Sequence, residues 1–371
     1  MTSNRILSVV RCPDCRSALS LHPGPSDAAG LGESAPSLRG QGLSCDGCGR
    51  LYPAARGAFL DLRPTEQFSE TTKYVDEALH ADSRHETVSP PLLSAAIRND
   101  MLRSMLRLTS ADRVVDLGCG SGRALVWNED LGSYGVGVDV SPHFAREALA
   151  GVDLLIGDLR KLPLADGSFN KAFSLDVAEH LSRESLVAVL SEARRVLEPG
   201  GSLFLYTHVR KNSWLAGGLR LVNHIAYGLD RIGLVSLGQE RLRKSDHINP
   251  LADMDDFRDV ATVAGFRVER LRYYTPLVGA VIENLLMRMA EQALAKRASR
   301  KLPTSASADQ VARDAAGIRA ARLAAKRSVE QRGFTYSVVR ALTWLMKLDI
   351  LLFSRVETGP FFALLTADPQ R

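Results

Sequence analysis

The sequence lacks any stretch that would carry the chain through a membrane. No run of about 18 uncharged apolar residues occurs, as a spanning helix requires. The nearest candidate, residues 336–353, is interrupted by Arg340, Lys347 and Asp349. Residues 1–11 contain neither the long apolar run nor the cleavage-site pattern of a secretory signal peptide. We therefore expect a cytoplasmic protein, and we leave peripheral contact with a membrane surface open.

Cysteine is scarce, and its placement is informative. The 371 residues include five cysteines, and four of them form the pairs Cys12-Pro-Asp-Cys15 and Cys45-Asp-Gly-Cys48. In a chain without a secretion signal, such pairs indicate a metal rather than disulfides. Two CxxC turns direct four thiolates at one centre, which is the closed tetrahedral geometry of structural zinc. We predict that these cysteines bind Zn²⁺ without a catalytic role; reduced, unliganded thiols are the alternative.

The residues around the cysteine pairs have a recognisable pattern. A Gly/Pro/Ser/Ala-rich stretch at 22–42 indicates a loop between the pairs. The flanking positions resemble the zinc-ribbon activator subunit of tRNA and release-factor methyltransferases; they are Leu19, Leu21, Gly49, Tyr52-Pro53, Gly57 and Leu60. We expect a zinc-ribbon domain over residues 1–63. The resemblance implies no substrate, because similar ribbons precede many bacterial methyltransferases.

Charge is low overall but unevenly distributed. The net charge is +5, with 45% hydrophobic and 24% charged residues, as in an ordinary soluble protein with a sizeable core. Residues 286–332 hold eleven Lys/Arg and four Asp/Glu, so the rest of the chain is slightly acidic. A basic segment on a near-neutral body favours either a solvated helix face or a surface for anions such as phospholipid, nucleic acid or an anionic substrate.

A glycine-rich turn follows a short apolar strand near the middle of the chain. Residues 64–275 alternate apolar runs with helical patterns, which predicts an α/β fold. The strand beginning at Arg113 leads into Asp116-Leu-Gly-Cys-Gly-Ser-Gly122. Glycines at alternate positions let the backbone approach a ligand closely, and a helix from about Arg123 would present its N-terminal amides to that ligand. Dinucleotide enzymes use a similar loop, so the turn alone leaves the cofactor open.

The residues downstream narrow the choice. Strand 134–139 ends in Asp139, whose carboxylate can accept both hydroxyls of a ribose, and strand 154–158 ends in Asp158. A fourth strand is predicted at 171–176, and Glu-Pro-Gly-Gly at 198–201 opens a fifth at 202–207. In this order the series resembles the class I S-adenosylmethionine-dependent methyltransferases of the type 11 or ubiquinone type.

The resemblance implies a Rossmann-like seven-stranded sheet that binds S-adenosyl-L-methionine. It places Asp116 and the loop glycines by the methionine part, Asp139 at the ribose and Asp158 near the adenine. Cys119 is then an ordinary loop variant rather than a nucleophile. The predicted cofactor-binding residues are Asp116, Gly118, Cys119, Gly120, Gly122, Asp139, Val140, Asp158, Leu159 and Asp176.

Acid and imidazole groups follow the fourth strand. Asp176-Val-Ala-Glu179-His180 resembles the Glu-x-x-Glu-His cluster of ubiquinone-type catechol and small-RNA 2′-O-methyltransferases, where it binds a divalent ion such as Mg²⁺. Asp replaces the first Glu, and many relatives use a similar Glu-His only to shape a helix start. His247 resembles a histidine that precedes a helix in small-molecule methyltransferases. We predict Glu179, His180 and His247 as the catalytic residues, with a local capping role as the alternative for His247.

The C-terminal part, residues 276–371, is predicted as a helical insertion, with a basic helix at about 308–332, followed by a final strand at 359–366. The usual partner of such a strand is the one predicted at 267–275, near residue 270. These helices provide either packing, including a homodimer contact, or a surface resting on a membrane. The apolar segment 214–242 is typical either of a roof over an acceptor pocket or of core packing, and Tyr74 is a candidate for covering the cofactor, with a core or surface role as the alternative. We expect O-methylation of a small apolar or lipid-linked acceptor. Methylation of tRNA or protein and a non-catalytic binding scaffold remain alternatives, although no Asn/Asp-Pro-Pro-Tyr motif for amide or base methylation is present.

Overall fold

The computed structural model describes residues 5–23, 41–52, 59–66, 88–210, 213–235, 237, 247–299 and 333–368. Some features predicted from the sequence lie outside these residues, wholly or in part, namely Pro53, Gly57, Tyr74, the loop at 22–42, the end of the segment 214–242 and the basic helix expected at about 308–332. None of the helices in the described part of the chain is long and apolar enough to cross a membrane.

The N-terminal residues form a small unit around the cysteine pairs. A short helix α1 (Arg5–Val9) precedes an antiparallel sheet of β1 (Leu19–Pro23), β2 (Gln41–Cys45) and β3 (Leu51–Tyr52), in the order β1-β2-β3. Leu19 lies opposite Cys45 and Leu43 lies opposite Tyr52, so the apolar side chains that flank the pairs share this sheet.

A larger sheet forms the body of the molecule. Its strands are β4 (Phe59–Asp61), β5 (Arg113–Leu117), β6 (Tyr134–Asp139), β7 (Asp153–Ile156), β8 (Phe169–Leu175), β9 (Leu197–His208), β10 (Phe266–Tyr273) and β11 (Pro360–Ala367). They pair in the order β10-β11-β9-β8-β5-β6-β7-β4, and all pairs are parallel except those made by β11. The last strand thus inserts between β9 and β10, where the sequence predicted its partner near residue 270.

The seven strands predicted for the main sheet are present, and an eighth strand pairs with them in the described residues. The additional strand, β4, comes from the N-terminal segment and pairs in parallel with β7, with Leu60 opposite Leu155. Leu60 and Leu62 are buried, and the amide of Leu62 donates to the carbonyl oxygen of Ile156 at 2.8 Å. The short strand therefore covers the edge of β7, which would otherwise present unpaired backbone groups.

Helices cover both faces of the sheet. They are α2 (Ser94–Leu106), α3 (Arg123–Trp127), α4 (Arg146–Gly151), α5 (Arg183–Val196), α6 (Ala216–Arg231), α7 (Met254–Val263), α8 (Leu277–Ala280), α9 (Arg288–Ser299) and α10 (Phe334–Phe353). A wider π-helical segment, Val281–Met287, joins α8 to α9. Side chains cap two of these helices: Ser182 accepts from the amide of Ser185 at α5, and Asp253 accepts from the amides of Asp255 and Asp256 at α7.

The N-terminal unit packs directly on the main sheet. The amide of Arg11 donates to the carbonyl of Pro163 at 2.9 Å, and the amide of Ala165 donates to that of Val9 at 2.7 Å. Ile6, Val9 and Val10 are buried in the same apolar cluster as residues of β5 to β9. The boundary at residue 63 stays a prediction, since the core continues across it.

The helices of the C-terminal part pack on one another through a buried acid. The carboxylate of Asp349 in α10 accepts from the amides of Val278 at 2.9 Å and Gly279 at 2.8 Å, at the start of α8. Thr343 of α10 accepts from the amide of Leu93 at 2.8 Å, just before α2. Helix α10 is therefore held against both α2 and α8.

Candidate active site

In the glycine turn after β5, two glycines are packed tightly against neighbouring side chains and one faces open space. Gly118, Gly120 and Gly122 all have positive φ angles, of 80°, 53° and 77°. A Cβ on Gly118 would lie 2.4 Å from Cγ2 of Val177, and one on Gly122 would lie 2.7 Å from Cβ of Ala148. A Cβ on Gly120 would meet nothing within 4 Å. The outer two glycines are thus required by packing, whereas the central one borders open space of the kind that a bound ligand can fill.

Asp139 joins this turn to the end of β6. Its Oδ2 accepts from the amide of Gly120 at 2.7 Å, and its Oδ1 accepts from the amide of Ser141 at 2.8 Å, which places Val140 beside the turn. Asp116 is 2% exposed, and burial, followed by the charge of Asp139, raises its pKa well above the ordinary value. Burial thus favours the protonated form of Asp116, whereas the carboxylate of Asp139 accepts hydrogen bonds from the turn.

Two residues of the predicted cofactor set have protein partners that the sequence did not indicate. Asp158 accepts from the amide of Arg160 at 2.8 Å and from its Nε and Nη2 at 3.0 and 2.8 Å, and Leu159 follows it directly in the chain. Cys119 is buried, and a Cβ on Gly137 would lie 2.8 Å from its Sγ, so the thiol packs against β6. Burial, together with Asp139 and Asp116, raises the pKa of this thiol, as expected for an unreactive cysteine.

The three predicted catalytic side chains converge. One ligand atom from each of Glu179, His180 and His247 lies within 4.8 Å of the others, and the two imidazole rings meet edge to face with centroids 4.7 Å apart. The carbonyl oxygen of Glu179 accepts from the amides of Ile248 and Asn249 at 2.8 and 3.0 Å, which fixes the loop of His247 against the turn of His180. Two distant parts of the chain thereby form one cluster.

The acid of this cluster is deeply buried. Glu179 is 4% exposed, and its Oε2 accepts from the hydroxyl of Thr207 at 3.4 Å. Burial, with a further contribution from Asp176, raises the pKa of Glu179 to about 8. The imidazole of His208 lies next to that of His247, with ring centroids 5.7 Å apart, and forms a hydrogen bond with the side chain of Asn249. His208 of β9 and Asn249 of the His247 loop thus support the cluster.

Asp176 does not join Glu179 and His180, so the predicted grouping of those three is formed only in part. The carboxylate of Asp176 lies 3.5 Å from Nε of Arg98 in α2, and its backbone has a left-handed φ of 58°. Such strain at a non-glycine residue is common at functional sites. The guanidinium of Arg98 also lies over the ring of Tyr206, 5.4 Å from its centroid. Arg98 was missed in the sequence because nothing in the pattern of α2 distinguishes it.

The cysteine pairs form a second cluster, in the N-terminal unit. Their four sulfur atoms lie within 4.8 Å of one another; Sγ of Cys12 is 3.8 Å from that of Cys48, and Sγ of Cys15 is 3.3 Å from that of Cys45. A tetrahedral zinc ion with Zn–S bonds of about 2.3 Å separates its sulfur ligands by about 3.8 Å. The hydroxyl of Tyr52 lies 3.1 Å from Sγ of Cys12. The spacing fits four thiolates around one ion.

Comparison with known protein families supports the interpretation of the glycine turn and of the strands around it. Residues 115–205 match the family described as a methyltransferase domain. The match supports the resemblance to class I S-adenosylmethionine-dependent methyltransferases, and it includes the glycine turn, Asp139, Asp158 and Glu179 but ends before His247.

The matches to individual relatives extend over only part of each of those proteins. An uncharacterised methyltransferase of Synechocystis sp. is 30% identical over 113 residues, which are 30% of this chain and 53% of that protein. A sterol 4-C-methyltransferase of Caenorhabditis elegans is 26% identical over 141 residues, 34% of this chain and 42% of that protein. The chain therefore spans about half the length of the curated relatives it matches.

The solved structures similar to this protein include a methyltransferase with bound cofactor. A Haemonchus contortus phosphoethanolamine N-methyltransferase 2 bound to S-adenosyl-L-methionine is 17% identical, with a TM-score of 0.46, over 83% of this chain and 61% of that one.

Proposed function

We propose that this protein transfers a methyl group from S-adenosyl-L-methionine to a hydroxyl acceptor and releases S-adenosylhomocysteine. The observation that carries this proposal is the opening over Gly120 beside the carboxylate of Asp139, within a methyltransferase domain. When bound, S-adenosyl-L-methionine supplies an electrophilic methyl carbon on a sulfonium. Calorimetric binding of the cofactor, followed by its turnover in a cell extract, tests the proposal. Binding without turnover on any acceptor would favour a non-catalytic scaffold instead.

The cofactor would be held by the residues that border the turn. The backbone of Gly118 to Gly122 and the buried carboxyl of Asp116 suit the methionine end, and Asp139 suits the ribose hydroxyls. We assign Val140, Asp158 and Leu159 to the adenine side and Asp176 to the rim of the site. Both carboxylate oxygens of Asp158 already accept hydrogen bonds from Arg160. We therefore expect Asp158 to border the adenine without offering it a free carboxylate.

The cluster of Glu179, His180 and His247 suits removal of a proton from the acceptor. An imidazole titrates near neutral pH, and a nearby buried acid can orient it. We assign His247 as the base or the orienting group, and Glu179 and His180 as its supports. Two imidazoles and one carboxylate are a poor donor set for Mg²⁺, which prefers oxygen ligands in octahedral geometry. We therefore derive no step through that ion.

A small apolar or lipid-linked acceptor agrees best with the surroundings of the site. The ring of Tyr206 is partly exposed beside Arg98, and it packs on the buried rings of Tyr274 and Phe362, with the centroids of Tyr206 and Phe362 4.8 Å apart. An aromatic ring at the edge of the site favours a ligand with hydrophobic surface. Named relatives act on sterols, on malonyl-[acyl-carrier protein] and on tRNA, so they leave the acceptor class open.

The acceptor class can be decided by following the methyl group. Cell extract is incubated with the protein and S-adenosyl-L-methionine labelled in its methyl group, and label is counted in the organic, RNA and protein fractions. We expect label in the organic phase, with His247→Ala removing it. Label in RNA or protein would instead establish tRNA or protein methylation, the alternative suggested by the cysteine unit and the basic segment.

We infer in addition that Cys12, Cys15, Cys45 and Cys48 bind one structural Zn²⁺. The mutual approach of the four sulfur atoms and the apolar packing of the unit on the main sheet support this assignment. Metal analysis of the purified protein should give one zinc per chain, and Cys12→Ser should lose it. Zinc that survives this substitution would argue against the site.

A further inference from the structure

The exposed apolar side chains of this protein are concentrated in its added helices. Twenty large apolar side chains are exposed among the described residues, and sixteen of them lie in the segments 214–234, 281–294 and 334–352. The other four, Leu21, Leu51, Ile248 and Val263, are scattered. Isolated exposed apolar residues are ordinary, whereas a concentration of them marks an interaction surface. These three segments are termed the helical surface below.

Helix α10 shows that this exposure has a direction. Val339, Thr343 and Met346 are buried on the side that faces α2 and α8. On the remaining circumference, Phe334 is 86% exposed, Trp344 66%, Leu351 76% and Leu352 60%. The apolar face of a surface helix is normally turned toward the core. Here one side is seated on the protein and the other is left as an apolar outer face.

The helical surface is also positively charged at its margin. Six basic side chains are exposed within 213–235, 281–299 and 333–357 as far as these are described, against one exposed acid, Glu357; the basic residues are Arg220, Arg231, Arg297, Arg340, Lys347 and Arg355. On α10, Arg340 and Lys347 lie seven residues apart and therefore on one flank of the apolar outer face, where Lys347 also pairs with Asp100 of α2 at 2.8 Å. The chain between α9 and α10, residues 300–332, adds eight Lys/Arg and three Asp/Glu in sequence.

We propose that the helical surface docks on an anionic lipid bilayer, with the outer face of α10 inserted among the headgroups. Exposed aromatic and aliphatic residues beside Lys and Arg are the combination that binds an interface. A second copy of this chain fits less well, because a two-fold contact would bring the same positive margins together. A lipid surface instead supplies the opposite charge.

The location of this surface relates it to the acceptor side. Thr343 of α10 accepts from the amide of Leu93, and the helix that follows carries Arg98, which pairs with Asp176. The membrane-facing helix thus packs directly on the helix that reaches the methyl-transfer site. Docking itself does not rest on the proposed methyl transfer, because it is measured without cofactor or acceptor.

The experiment is co-sedimentation of the full-length protein with vesicles. One set contains phosphatidylcholine alone, and the other also contains phosphatidylglycerol. We expect binding to the anionic vesicles that weakens as salt is raised. The double variant Leu351→Ser/Leu352→Ser should lower the partition coefficient at least about tenfold, since each side chain loses its burial in the bilayer. The matched control Leu51→Ser/Val263→Ser, which changes exposed apolar residues elsewhere, should bind like the wild type.

A second double variant separates charge from apolar insertion. Arg340→Gln/Lys347→Gln should reduce the difference between the two vesicle types and flatten the salt dependence, and circular dichroism melting verifies that each variant folds. The proposal is overturned if the wild type binds neither vesicle or if Leu351→Ser/Leu352→Ser binds unchanged. It is also overturned if that variant only dissociates a dimer in light scattering, or if the surface retains RNA and not vesicles.

Discussion

Replacing Gly120 by alanine separates the fold from cofactor binding. Gly120 and Gly167 have similar positive φ angles, 53° and 57°, and a Cβ on either would meet nothing within 4 Å. Alanine in this conformation costs about 1–2 kcal/mol in backbone energy at each position. Gly120→Ala and Gly167→Ala should therefore lower the free energy of unfolding by similar amounts, a Tm loss of at most about 4 °C per kcal/mol.

Cofactor affinity should distinguish the two variants. The new methyl group at position 120 enters the opening beside Asp139, whereas position 167 lies in the turn before β8, where its amide donates to the carbonyl of Arg195. Overpacking a filled site typically costs about 1–3 kcal/mol, so Gly120→Ala should weaken binding of S-adenosylhomocysteine about 5- to 150-fold. Titration calorimetry and urea unfolding measure the two effects. Equal affinity in Gly120→Ala and wild type, or an equal loss in Gly167→Ala, would refute the assignment of this opening to the cofactor.

Four further changes test other parts of the structure. Asp139→Asn keeps the size of the side chain but leaves one carbonyl oxygen to serve two amides; calorimetry should show at least about a tenfold loss of cofactor affinity, because a charged acceptor is removed, and unchanged affinity would exclude a ribose contact. Glu179 has a folded pKa of about 8 against an ordinary 4.5, so its contribution to stability is fully present below pH 4.5 and is lost as the pH rises through 8. With a chelator present, the free energy of unfolding is measured against pH for the wild type and for Glu179→Gln. It should fall more steeply with rising pH in the wild type, and the same pH dependence in both proteins would contradict this. Asp349→Ala removes the acceptor of two helix amides and should cost about 1–3 kcal/mol in urea unfolding, with Asp349→Asn costing less; no loss would mean that these bonds do not hold α10. Cys45→Ser should release zinc and lower the thermal midpoint of the whole protein, whereas a midpoint that stays constant would show that the unit is energetically separate.

Local patterns were sufficient where chemistry and backbone geometry act within a few residues. The strand 134–139 was predicted with the bounds that it has in the structure, because an apolar alternation ends there in an acid. The helix after the glycine turn begins at Arg123, as expected. The pairing of β11 with β10 was also anticipated, since an apolar run at 359–366 needs a partner strand.

Contacts between distant segments were harder to predict. Arg98 reaches Asp176 from a helix whose sequence carries no motif, so charge pairing alone could have matched it with many acids. The strand β4 spans only three residues, too few for a period to be recognised. Arg160 donates hydrogen bonds to Asp158, two residues before it in the chain. This local pair was overlooked because Asp158 was assigned to the adenine. His247 was chosen from its loop, but its meeting with Glu179 depends on backbone bonds to Ile248 and Asn249.

The N-terminal unit and the cofactor turn are linked through the edge of the main sheet. Leu62 donates to Ile156 at the end of β7, and the next residue, Gly157, donates through its amide to the carbonyl of Asp139 at 2.9 Å. Pro163, which accepts from Arg11, lies five residues beyond Asp158. The segment between β7 and β8 is thus held on one side by the N-terminal unit and on the other by Asp139, the acid beside Gly120. A change that destabilises the N-terminal unit should therefore weaken cofactor binding at the glycine turn.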